Sequence, residues 1–188
     1  MGYAGVRHSG ANRHTGTRPR KEATITSRII KFHVPSDQRL LAAFGEVALR
    51  HEHMNYVLKM TIKSLTGVTP TEAVAATRFE SSKQLRDRVS KIARKKLGDG
   101  AVLIKLQAML AECQRLTEKR NDLVHGLWAQ ELFGEAHIRD AHGATRPLPT
   151  AEELHDLARA LKHHSDRLNQ ARLEGLLSEA EQNQSGKK

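Results

Sequence analysis

The sequence predicts an all-α fold: a four-helix bundle with a small β-hairpin inserted between the third and fourth main helices. Three observations predict it. Apolar residues recur every three or four positions over four long stretches. Helix start and stop signals bound those stretches. Aromatic residues are only 4% of the chain and apolar residues 38%, so Leu, Ala, Val and Ile must build the core, which suits packed helices better than strands.

Residues 1 to 30 are read as a basic tail without hydrophobic period, expected to be disordered. The helical domain is placed at residues 31–178, and residues 179–188 are expected to fray. "ITSRIIKFHV" is an apolar lead-in that can dock as an extended segment. In "PSDQ", Ser36 or Asp37 can accept from the free amides of a first helical turn. Leu40, Phe44, Val47, His51, Met54, Leu58, Ile62 and Leu65 then step by three or four until Gly67, which predicts one long amphipathic helix. Pro70 opens a short second segment. "SSKQLRDRVSKIARKKLG" follows as a helix with Leu85, Val89, Ile92 and Leu97 inward, a basic last turn, and Gly98 as its stop.

The next helix runs from about Val102 through "EKRNDLVHGLW", with Leu103, Leu106, Met109, Leu110, Cys113, Leu116, Leu123, Val124 and Leu127 as its stripe. Cys113, the single cysteine, reads as a small buried thiol. "WAQELFGEAHIRDAHG" carries a Gly134-Glu135 step between two short apolar segments and predicts the hairpin. Thr150 and Glu153 form a capping box that starts the last helix. Leu154, Leu157, Ala158, Leu161, Leu168 and Ala171 face inward on it.

The formal net charge is +10, yet most of it lies at the ends. Residues 1–31 carry seven basic residues against the single Glu22, and Lys187 and Lys188 close the chain, leaving the body near neutrality. Such a tail lends sequence-independent affinity for phosphate backbones and equally keeps a chain soluble. No apolar run approaches the roughly 20 residues that cross a bilayer, and the start lacks the apolar segment of a secretory signal. With one cysteine, no internal disulfide forms. The expectation is a cytoplasmic protein without membrane contact.

Chemistry concentrates at residues 118–128. On a helical wheel Arg120 falls inside the apolar arc of its helix, while Asn121 and His125 border that arc one turn apart. A guanidinium there needs either a carboxylate from a neighbouring helix or a wet cleft, because an unpaired buried charge is costly. Other constellations are weaker. "HEHMN" has Asn55 where a zinc-protease helix needs its second histidine. His163 and His164 are adjacent and cannot share a helical face. Glu118, Asp122 and His125 share one face but read as solvated surface. No cofactor and no metal are expected.

"RNDLVHG" resembles the Arg-x4–6-His motif of the HEPN domain superfamily, small helical bundles. The similarity extends to "FGEVALRHEHMNYVLKMTIKSLTG" on the opening helix and "KQLRDRV" on a middle one, and covers roughly residues 36 to 175. The resemblance implies metal-independent RNA cleavage by a homodimer whose motif helices face each other, in a toxin or phage-defence setting. Arg120 would hold the scissile phosphate, His125 would move a proton, and Asn121 would orient one of them. His51 and Asn55, one turn apart on the first helix, are candidates to line the cleft, although a satisfied core histidine is the plainer reading of His51. Two positions depart from the pattern. Leu127 stands where branches paired with a nucleotidyltransferase-like antitoxin carry tyrosine, and Asn55 where relatives often carry an acid. Two other readings stay open: a catalytically silent module binding RNA or a protein partner, and a structural helical protein whose Arg120 is tied in an ion pair.

Overall fold

The computed structural model describes residues 30–131, 134–140 and 142–174. These residues are mostly helical, with a small antiparallel sheet. The expected disorder of residues 1–29 and the expected fraying after residue 178 lie outside them, while Ile30, placed in the tail, opens a strand. Strand β1 (Ile30–Phe32) leads into the long helix α1 (Gln38–Thr66). Next come α2 (Pro70–Ala76), α3 (Ser82–Leu97) and α4 (Ala101–Val124). Strands β2 (Leu127–Glu131), β3 (Ala136–Arg139) and β4 (Thr145–Pro147) follow, and α5 (Ala151–Glu174) closes the described chain. The described residues thus form four long helices and a fifth short one, α2, where Pro70 opens its segment.

The caps explain the boundaries. The Asp37 carboxylate accepts from the amides of Arg39 at 2.8 Å and Leu40 at 3.4 Å, and Gly67 ends α1 at φ 75°, the left-handed conformation glycine tolerates. Ser81 and Gln84 form a capping box on α3, and Thr150 and Glu153 form the expected one before α5. Helix α1 is the centre of the molecule and touches all four other helices. Its buried Leu40, Val47, Met54, Leu58, Ile62 and Leu65 meet Leu85 and Val89 of α3, Leu106 and Cys113 of α4, and Leu154, Leu161 and Leu168 of α5 in one apolar core. Burial of Cys113 pushes its thiol pKa up to about 12, so it stays a neutral packing group.

The expected hairpin is present as β2 and β3, but it is the middle of a four-stranded sheet of order β1-β2-β3-β4, all neighbours antiparallel. The lead-in docks on β2, with Phe32 opposite Ala129, and β4 adds on the other side. Each added strand is three residues long, too short to show a period of two.

Trp128 ties the sheet to the helices. Its ring meets Phe44 of α1 edge-on at 5.7 Å, and its indole N–H donates to the Leu123 carbonyl at 2.8 Å. Between them, Gly126 lets the chain pass close to β3. A Cβ there would lie 2.3 Å from Ile138 Cγ2 and 2.7 Å from the Asp122 carbonyl oxygen. Gly45, inside α1, has open space around the same position. Gly126→Ala is therefore expected to destabilise by about 1–3 kcal/mol, whereas Gly45→Ala stabilises by roughly 0.5–1 kcal/mol. Urea unfolding followed by circular dichroism checks both signs.

Candidate functional site

A cleft of about 680 Å³ opens where α1, the start of α3 and the end of α4 meet. All five residues singled out in the sequence line it: His51 and Asn55 from α1, Arg120 and Asn121 from α4, and His125 just past the end of α4. The i, i+4 spacing of His51 and Asn55 brings both to one side of α1. There they interrupt a stripe that is otherwise apolar but for Thr61.

The deepest part is a hydrogen-bonded seam. The capping box at Ser81 holds Ser82 at the first turn of α3. From there its hydroxyl donates to Asn55 Oδ1 at 2.7 Å and lies 3.3 Å from His51 Nε2. Asn55 Nδ2 in turn donates to Glu52 Oε1 at 3.2 Å. The serine has one proton and spends it on Asn55, so at His51 it must accept, which assigns the ring proton to Nε2. Nδ1 then presents a bare lone pair. It is buried without a hydrogen-bond partner, 3.5 Å from a carboxylate oxygen of Glu52 that has nothing to donate. His51 is thus buried as a core histidine would be, but it is not satisfied. Burial lowers its pKa first, and the Arg120 and Arg86 cations lower it further against the opposing pull of Glu52.

Arg120 is half-buried in the wall of the cleft. Among the described residues no carboxylate lies within 4 Å of its guanidinium. Nη1 donates to its neighbour Asn121 at 3.1 Å, and Nε is buried without a partner. The ion pair expected of a purely structural Arg120 is absent among these residues, and the wet-cleft alternative describes its surroundings. His125 is the C-cap of α4 rather than a residue inside it, and its side chain is exposed at the cleft mouth.

Sequence reasoning missed Ser82, Glu52, Arg86 and Thr117. Arg86 donates to Thr117 Oγ1 at 3.4 Å, and that hydroxyl donates to the Cys113 carbonyl at 2.7 Å. Only Ser82 had a usable signal, its place one residue after a capping serine. The cleft is mixed in charge: Lys59, Arg78, Lys83, Arg86 and Arg120 against Glu52, Glu80, Asp87 and Glu118. Glu80, however, is engaged by Arg88. Among the described residues, no group of three or more His, Cys, Asp or Glu is arranged to hold a metal ion, and no helix is long and apolar enough to cross a membrane. No protein-family model, curated protein or solved structure matches this chain.

Two outcomes follow from the geometry. His51 and His164 both have lowered pKa values, His164 through burial against the Met109 carbonyl. Below about pH 6.5 the unfolded chain takes up protons that these folded imidazoles resist, so stability should fall on acidification through that range. His51→Gln should make the dependence shallower, as read by urea midpoints across pH. Arg120→Met removes the buried Nε–H that has no partner and should raise stability by about 1 kcal/mol. A loss of several times that size would show that Arg120 holds the fold together.

Proposed function

We propose that this chain is a metal-independent endoribonuclease of HEPN type, a four-helix bundle acting as a homodimer in the cytoplasm, in a toxin or phage-defence setting. One observation carries the reading. A guanidinium with no carboxylate partner shares an open polar cleft with an exposed imidazole five residues on. A scissile phosphodiester is a ligand that both groups fit. Arg120 offers its fork of donors to the non-bridging oxygens and stabilises the charge that builds on them. His125 takes the proton of the ribose 2′-hydroxyl as that oxygen attacks phosphorus, or supplies one to the departing 5′-oxygen. With two copies of the cleft facing each other, both roles are filled. The products are a 2′,3′-cyclic phosphate and a 5′-hydroxyl end, and DNA, lacking the attacking hydroxyl, is not cut. Asn121 steers Arg120. His51, held neutral, adds no competing charge at the floor, where Asn55 stands in place of an acid.

A second reading is favoured by one specific feature: the His125 ring has no hydrogen-bond partner among the described residues to orient it. A catalytically silent module that binds RNA or a protein partner, including an antitoxin, would tolerate that freedom.

Labelled RNA incubated with the protein in chelator separates the two. Cleavage should fall by about 10²–10⁴ in His125→Ala. It should fall strongly in Arg120→Lys as well, which keeps the charge but loses the planar fork. Cleavage that survives both substitutions, or that needs added metal, defeats the nuclease proposal. Tight binding without cleavage supports the silent module.

A further inference from the structure

The near-neutral body of the chain conceals one strongly basic element. Helix α3 carries seven basic residues and one acidic one. Arg86 and Arg88 are turned to internal partners. Lys91, Arg94 and Lys95 are exposed, and none has a carboxylate within 4 Å among the described residues. With Asp87 and Ser90 they line a second hollow of about 410 Å³. Asp87 also lines the cleft, so hollow and cleft border the same residue.

At the other end of the cleft, Arg78 lies over the ring of Phe79 at 4.4 Å, and Phe79 is 85% exposed. Lys83 to Lys95 spans about 18 Å along the helix axis. That is room for roughly five phosphates of a stacked strand.

We infer that a single strand of RNA runs from a base stacked on Phe79, through the cleft, and down the exposed face of α3 on Lys91, Arg94 and Lys95. The inference rests on the cleft being the RNA site proposed above, and it adds the strandedness and the path. An open aromatic face beside clustered cations is the combination that holds unpaired bases and their backbone, because every base has a π-face to stack. No large apolar side chain is exposed on α3, so the stripe lacks the wedge that an interfacial membrane helix needs. The helix dipole accounts for cations in the last turn of α3, but not for Lys83 in its first turn, where no acid is present.

The test is anisotropy of a labelled 2′-O-methyl oligouridine, which cannot form the cyclic phosphate and so reports binding apart from cleavage. Replacing Lys91, Arg94 and Lys95 together by Ala should weaken binding and reduce the slope of log affinity against log salt by about 2. Replacing them by Arg and Lys in exchanged order should preserve both. Phe79→Ala should weaken the single strand roughly fivefold or more, Phe79→Trp should restore it, and duplex binding should not respond to either. Thermal melts confirm that the variants fold. Unchanged affinity in the triple Ala variant overturns the path. So does displacement of the oligonucleotide by polyglutamate or anionic vesicles as readily as by RNA, since the stripe would then serve an acidic protein or a membrane. If wild type cuts RNA while the triple variant binds like wild type, the path alone fails. If the variant loses binding but no form cuts RNA, the nuclease reading alone fails.

Discussion

A neutral imidazole in the middle of a packed apolar stripe sets the terms for the rest of the molecule. His51 sits between Val47 and Met54 on the buried side of α1, and two arginines act on it electrostatically. Were it protonated, three cations would share one poorly solvated corner with Glu52 as their nearest counterweight. Burial and the two guanidinium groups prevent that, while Ser82 accepts from Nε2 and donates to Asn55. One hydroxyl therefore fixes a tautomer and joins α1 to α3, and the site's positive charge stays on guanidinium groups, which cannot lose it.

The sheet has a structural part in the same arrangement. By its position after α4, β2 decides where that helix stops, and the stop decides where His125 points. Trp128 holds the last turn through the Leu123 carbonyl, and Arg146 donates to the Asp122 carbonyl at 3.1 Å. Two of the carbonyls that a helix C-terminus leaves open are so satisfied by side chains from the sheet. The close passage at Gly126 then turns the chain sharply enough to leave His125 at the cleft mouth. The "HGLW" that ends the motif is thus a mechanical hinge point, and only its histidine is a chemical group.

Helices were legible because each carries its own evidence: a stripe, a cap and a stop, all local in sequence. Asp37, Gly67, Gly98 and Thr150 stand where the patterns place them. Of the outer strands, β1 was legible only as an extended lead-in and β4 not at all, since three residues hold no period and their pairing depends on other strands, about 100 residues away for β1 and about 8 for β4. Of the site, the wheel put Arg120 among apolar residues and Asn121 with His125 beside it, but a wheel knows only one helix. Whether Arg120 met a carboxylate or a cleft depended on α1 and α3. The buried state of His51 was visible in its stripe; its unsatisfied Nδ1 follows from Ser82, thirty-one positions on. The near-neutrality of the body holds, but it hides a local feature for a related reason. Summing residues 32–186 to near zero averaged a basic α3 against acids spread over other helices.

The cleft also collects positive potential from sources that a count of side chains omits. The N-terminus of α3 is the positive end of its dipole, and it opens at Ser82 on the cleft floor. Its first turn contains no acid and does contain Lys83, with Arg86 one turn on. By the ordinary rules of helix stability this is the wrong sign in the wrong place, worth a few tenths of a kcal/mol against folding for each charge. Arg120 adds a guanidinium with a buried, unpartnered nitrogen a short distance across the gap. Local choices in a sequence generally agree with its fold, and places where several of them disagree at once tend to be functional. Here the first-turn Lys83, the nearby Arg86 and the unpartnered Nε of Arg120 share one sign, and all three are relieved by the same thing: an anion lying between α3 and α4.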